Sequence, residues 1–246
     1  LNSEGKVVGA TKSDGYVTLD GVDDYIDLGL AEYDFGSQLT LVATFAINEL
    51  KNQIFRIIGN WESAGVGIYI NASNKLAIDV YNDETNKYYS IIFQEDLELN
   101  KEYQVIEVYN GKKIELYINE FLIDELEIEG TIKASDMPFY IGANPQPNDA
   151  TREFANINVK NVQIYNRAIN EEEVSLVSEG KVANSEGLLR CVDFTNKSYE
   201  DNEIIPEEAI ESYFVWIPKY RYQLWDLGNY DSLTTIGASK VHEIPI

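Results

Sequence analysis

Between Gly15 and Tyr165 apolar and polar residues alternate in short runs set apart by turn residues. This is the pattern of half-buried antiparallel strands. The runs fall at Tyr16 to Leu19, Tyr25 to Leu28, Leu39 to Ile47, Gln53 to Gly59, Val66 to Ile70, Lys75 to Tyr81 and Tyr88 to Phe93. They continue at Tyr103 to Tyr109, Lys112 to Ile118, Phe121 to Ile128, Phe139 to Ile141 and Val159 to Tyr165. Strands at this spacing, with no helical period between them, predict an all-β, two-sheet antiparallel sandwich of jelly-roll type. Asn110-Gly111 is read as the φ > 0 pair of a tight hairpin turn and Asn119-Glu120 as the next, which places Tyr103 to Ile128 in one meander.

The pattern then changes. Asn170 followed by Glu171, Glu172 and Glu173 has the form of a helix N-cap with acids in the first turn, predicting a short helix over Glu171 to Ser178 that ends at Gly180. From Glu171 to Glu211 there are 12 acids against three bases and few apolar residues, so the stretch reads as a solvated, partly irregular connector. Ser212 to Tyr230 is dense in Tyr, Phe and Trp, which calls for burial and opens a further module. The expected organisation is a sandwich over residues 1–178, an acidic connector over 179–211 and an incomplete aromatic-rich module over 212–246. The chain reads as a piece of a longer protein.

Composition narrows the range of partners. With 246 residues, 44% of them hydrophobic, the chain has enough material for a large buried core. Its 42 acids and 19 bases give a formal charge of −23, a surface that repels phosphate backbones and anionic lipid, so nucleic acid and membranes are not expected partners. No apolar run approaches the roughly 20 residues of a membrane span. One cysteine, Cys191, precludes an internal disulfide, and the single histidine, His242, precludes a His-Cys metal cluster or a nucleophile activated by histidine within the sandwich.

Three segments, in order, resemble the bacterial laminin G-like branch of the concanavalin A-like lectin and glucanase superfamily. Tyr16 to Gly29, with Asp20-Gly21-Val22-Asp23-Asp24-Tyr25, resembles its opening strand pair. Lys113 to Asn119 resembles its central LYVNG hairpin, with Glu120 where the family has Gly. Tyr140 to Asn144 followed by Val159 to Val174 resembles its closing strand and helix. The resemblance implies a jelly roll used for binding or adhesion in extracellular multidomain proteins. Separately, Tyr213 to Tyr222 resembles an FVWIPRYKY motif of low-GC Gram-positive prophage and surface proteins, which points to a bacterial or phage parent acting outside the cell, at a cell surface or in a virion.

Candidate chemistry follows from these elements. Relatives hold calcium between the opening turn and an acidic pair before the last strand, which makes Asp20, Asp23 and Asp24 the candidate metal ligands. Lys160 and Asn161 replace the acidic pair, however, and Asp-rich turns also arise for their local hydrogen bonds alone. No other cofactor is expected. Glu125, Glu127 and Glu129 alternate on one strand, as the carboxylates of retaining β-glucanases do, yet no Trp flanks them and an exposed acidic face reads the same way. Glycan contact needs an aromatic ring with amide and carboxylate groups nearby. Asn60 and Trp61 in one loop, Tyr81, Asn82 and Asp83 in a second, and Asn148, Asp149 and Arg152 in a third meet that need, against a reading as polar loops with one packing tryptophan. The expectation is a noncatalytic module recognising a glycan or a protein surface through loops at the sandwich edge, with a structural spacer in a virion or tail as the alternative and a retaining glycosidase as the third reading.

Overall fold

The computed structural model describes residues 6–8, 10–13, 15–147, 151–195, 222–223 and 241–242. In chain order the elements are β1 (Lys6–Val8), β2 (Thr11–Ser13), β3 (Tyr16–Asp20), β4 (Tyr25–Asp27), β5 (Leu39–Ile47), β6 (Phe55–Gly59), β7 (Val66–Ile70), β8 (Leu76–Asn82) and β9 (Lys87–Ile92). They continue with β10 (Glu102–Tyr109), β11 (Lys113–Ile118), β12 (Phe121–Glu127), β13 (Tyr140–Ile141), β14 (Asn156–Tyr165), α1 (Glu171–Ser178), β15 (Leu188–Asp193), β16 (Tyr222–Gln223) and β17 (Val241–His242). A seven-stranded sheet runs β1-β4-β13-β6-β7-β8-β9 and an eight-stranded sheet runs β12-β11-β10-β5-β14-β3-β2, with β15 pairing β14 besides. The two antiparallel sheets make the expected all-β jelly-roll sandwich. β16 and β17 form an antiparallel pair in a separate unit.

Alternation sets the two faces of the eight-stranded sheet. On β5, β10 and β14 one set of residues, including Val42, Ile106, Val108 and Tyr165, packs with Val174 and Val177 of α1. The other set, including Leu41, Val105, Tyr109 and Ile164, is fully buried and faces the seven-stranded sheet, whose β7 lies against β10. Glu107 shares that inner face, paired across the sheet with Leu41 and Leu116. It is fully buried, and neither carboxylate oxygen has a hydrogen-bond partner.

Four details depart from the sequence pattern. β3 and β4 belong to different sheets, so the Asp20 to Asp24 turn carries the chain from one layer to the other. Gly111 has φ +87°, but Asn110 is not in the left-handed region; the β10–β11 connection is three residues long, and the Asn110 side chain accepts from the backbone N–H groups of Lys112 and Lys113. At the next turn Asn119 and Glu120 both have positive φ, 48° and 71°, as a two-residue hairpin loop requires. Finally, Leu188–Asp193 lies in the stretch read as an irregular connector, and it forms β15, registered against Asn161 to Tyr165. All six of its residues are half-buried, so the strand shows no alternation that a sequence pattern would reveal.

The predicted helix forms over Glu171–Ser178. The Asn170 side chain accepts from Glu173 N at 3.0 Å, and the Glu173 carboxylate accepts from Asn170 N at 3.1 Å, a reciprocal capping box. Arg167 grips the same carboxylate through two 2.7 Å hydrogen bonds and holds it below the usual carboxylate range. Replacing the cap, Asn170→Ala, is expected to lower the unfolding free energy by about 1 kcal/mol in a urea titration with unchanged slope. An unchanged midpoint would mean that Val174 and Val177 hold the helix without the cap.

Candidate functional site

The clearest constellation of polar and aromatic groups lies on the face of the seven-stranded sheet turned away from its partner. Gly59 of β6 and Gly67 of β7 are directly paired there, and a Cβ on either would collide with the ring of Trp61. Two adjacent glycines thus leave a flat patch of backbone on which the indole lies. Trp61 donates Nε1–H to Asp79 Oδ1 on β8 at 2.7 Å. Above the ring, the Arg56 guanidinium sits 4.1 Å from the centroid and 5.1 Å from that of Tyr69. Trp61 is only 2% exposed, so it is a closed packing element and not the open stacking platform expected of a loop tryptophan.

Around it opens a cleft of about 320 Å³ lined by Ile54, Arg56, Glu62, Tyr69, Tyr88 and Ser90 among others, with Asn144 and Arg152 on its rim. The rim is made by the loop after β6 meeting the segment that leads into β14. Asn144 and Arg152 exchange backbone hydrogen bonds of 2.8 and 3.2 Å. Arg56 Nε donates to Glu153 at 2.6 Å, and Arg152 donates to Glu62 at 3.3 Å. Glu62 and Ser63 have φ of 116° and 60°, a left-handed stretch in non-glycine residues held by these contacts.

Burial raises Asp79 to about 7, with the Trp61 hydrogen bond and the Arg56 charge opposing the shift. Burial also pushes Glu107 well above the ordinary carboxylate range, and the Asp79 charge adds to it. Burial first and Asp79 second raise Tyr69 as well.

The sequence candidates separate in space. Arg152 lines the cleft and Trp61 forms its wall. Asn60 is buried, its side-chain oxygen accepting from Val66 N at 3.1 Å, and so shapes the loop without facing the cleft. Asn82 is also buried, donating to Glu129 O and accepting from Thr85. Tyr81 packs edge-on against Tyr88, and Asp83 is exposed, its N–H donating to Thr131 O. Asn148 and Asp149 lie outside the described residues, as does Tyr213 to Arg221 of the aromatic segment. Residue type and spacing do not single out Arg56, Asp79 and Ser90, and they read Tyr69 and Tyr88 as sheet-face packing, whereas all five line the cleft; the one signal for Asp79 is a lone acid inside the apolar run of β8.

Asp20, Asp23 and Asp24 do converge, with carboxylate oxygens within 4.8 Å of one another. Their oxygens also close the turn: Asp24 Oδ2 accepts from Asp20 N, and Asp20 Oδ1 accepts from Val22 N and Asp23 N. Beside them the Lys51 ammonium donates to Gly21 O at 2.6 Å and Phe154 O at 3.4 Å, so a side-chain cation already holds the carbonyls facing this turn. The donor set therefore fits a calcium ion poorly, with Lys51 as the cation beside the turn, while Lys160 pairs with Glu102. Glu125 and Glu127 lie on the exposed edge strand β12, which ends before Glu129, so the three acids do not share one strand; Glu125 pairs with Lys113 at 2.7 Å, and the cleft beside Trp61 is lined by none of them.

Two outcomes follow from these charges. Asp79 and Glu107 keep their protons in the folded chain at pH values where the unfolded chain has lost them, so the native state binds more protons and stability falls as pH rises from about 4 through about 7. The melting temperature is expected to be higher at pH 5 than at pH 8, and Asp79→Asn, whose amide oxygen still accepts from Trp61, to narrow that difference. A melting temperature that climbs over this interval would contradict it. In a second melting series, about 1 mM calcium is expected to move the midpoint by less than about 1 °C, because an ion that binds only the folded state would raise it. A rise of several degrees would put a metal at the Asp20 turn.

Residues 20–175, more than half of the chain, match a laminin G family model described as the Concanavalin A-like lectin/glucanases superfamily. No curated protein matches in sequence. Among solved structures, the receptor binding domain of botulinum neurotoxin C/D mosaic serotype matches with a TM-score of 0.58 and 16% identity over 72% of this chain and 46% of that one. The binding domain of Paraclostridial Mosquitocidal Protein 1 gives 0.55 and 19% over 73% and 46%. Trypanosoma rangeli sialidase in complex with sialic acid gives 0.54 and 19% over 71% and 29%. The chain thus spans less than half the length of these structures, and at such identities they share its fold. Fold, sheet order and matched residues agree: the chain belongs to the concanavalin A-like lectin/glucanase superfamily.

Proposed function

We propose that this chain is a noncatalytic recognition module of a larger extracellular bacterial or phage protein, and that it takes a glycan in the cleft beside Trp61. The observation that carries the reading is the make-up of that cleft. Tyr69, Tyr88 and Ile54 offer apolar surface, and Glu62, Ser90, Asn144 and Arg152 offer hydrogen-bonding groups at its edge. Sugars present apolar C–H faces and a rim of hydroxyls, so such a lining matches them without any reaction. Wall and rim come from two of the loops that the sequence singled out. Receptor-binding domains and a sialidase bound to sialic acid share the fold, which is consistent with recognition.

A protein surface is the second reading, favoured by the exposed run Phe121, Leu122 and Ile123 at the edge of the eight-stranded sheet. A glycan array probed with the intact chain separates the two. Binding to at least one glycan class is expected, together with its loss in Ser90→Trp, which fills the cleft from an exposed position on β9. A clean negative across bacterial and host glycans, with the fold intact by circular dichroism, would remove the glycan reading.

A further inference from the structure

Resting on the glycan reading, we infer that the cleft recognises an acidic sugar, a uronate or a sialate, and that Arg56 holds its carboxylate through both terminal guanidinium nitrogens. Three contacts fix the Arg56 side chain. Its Nε–H donates to Glu153 at 2.6 Å, and its guanidinium carbon lies 4.1 Å from the ring centroid of Trp61 and 5.1 Å from that of Tyr69. None of these contacts uses Nη1 or Nη2, and neither nitrogen has an acceptor among the described residues. Nor are they sealed away: among the described residues the enclosed side-chain atoms without a partner belong to Gln104, Glu107 and Asn144. The side chain keeps 12% of its surface exposed, and Arg56 lines the cleft together with the two rings it stacks on. Its open end is therefore a donor pair at the cleft wall.

The geometry of that pair selects its acceptor. The outer end of a guanidinium presents two parallel N–H groups spaced for the two oxygens of a carboxylate, and charge-assisted bonds of this kind are about twice as strong as those between neutral groups. Stacking and Glu153 fix the fork before a ligand arrives, so little side-chain freedom is lost on binding. Charge inside the cleft also runs against that of the chain. Two arginines, Arg56 and Arg152, line it against Glu62 and an Asp79 whose burial favours the neutral form. Glu62 is itself held by Arg152, Asn144 and Gln146, and Glu153 by Arg56 and Asn144. The net charge of −23 opposes an anion at a distance, but it is screened beyond about 10 Å at 0.1 M salt, and contact is decided by the groups in the cleft. An acidic sugar keeps the C–H face that Tyr69, Tyr88 and Ile54 match, so its carboxylate adds to that contact.

The test is calorimetry and saturation-transfer NMR on the intact chain with methyl glucuronide, methyl glucoside, sialyllactose and the methyl esters of the two acids. At least one acid is expected to bind, and its ester, which keeps the shape and loses the charge, to bind at least about tenfold more weakly. Which acid binds distinguishes a uronate from a sialate. Arg56→Lys, which keeps the charge and removes the fork, is expected to lose about tenfold as well. If that variant fails to fold, the guanidinium ¹⁵N resonances of Arg56 in the wild-type chain read the same contact, shifting with the acid and not with its ester. An ester or neutral parent that binds as tightly as the acid overturns the inference and leaves glycan recognition standing. Acid binding that is unchanged in a folded Arg56→Lys, or that leaves the Arg56 resonances unmoved, also overturns it. No sugar bound at all takes down both readings.

Discussion

A hydrogen bond from an indole to a buried carboxyl group organises the outer face of the seven-stranded sheet. Asp79 stands in a strand of apolar residues, where an ionised carboxylate without a partner would be costly. Trp61 covers it and donates to it, and the indole can reach only because Gly59 and Gly67 offer no side chains. Arg56 then closes the stack and is itself fixed by Glu153. Each member is positioned by the one beneath it, so the cleft wall is built outward from the sheet and not from the loops inward. Loops supply the rim, and their unusual backbone at Glu62 and Ser63 is tolerated because the rim contacts determine it.

Much of the fold was legible because period-two alternation is a direct record of burial on one face. β5, β8, β10 and β14 are long and apolar enough to read without ambiguity, and the capping box of α1 is a local signal contained within Asn170 to Glu173. β15 was not legible, since a half-buried strand beside the sheet has no face to alternate and sits among acids. β1 and β2, three residues each, are too short to carry a pattern.

The site was legible only in part, and for a different reason. Trp61 and Arg152 stand out by residue type, but the burial of Trp61 depends on two glycines eight positions apart, and only strand register shows that they are neighbours. Asn60 and Asn82 look like ligand groups in a loop, yet their side chains are spent on backbone N–H and C=O groups nearby, a use that residue type does not reveal. Glu107 makes the same point from the core: an acid among the apolar residues of β10 is visible, and whether it meets a partner is a property of the opposite layer.

Edge strand β12 shows what a strongly acidic composition does for a molecule built of sheets. Its open side bears unpaired backbone groups, and its first three residues, Phe121, Leu122 and Ile123, are exposed and apolar, the makings of a template for further strands. Asp124, Glu125 and Glu127 follow at once, all exposed. A second copy laid antiparallel about Asp124 would bring carboxylate against carboxylate, and any in-register stack would repeat that repulsion in every layer. Part of the chain's negative charge thus sits where it opposes the addition of a further strand to this open sheet edge.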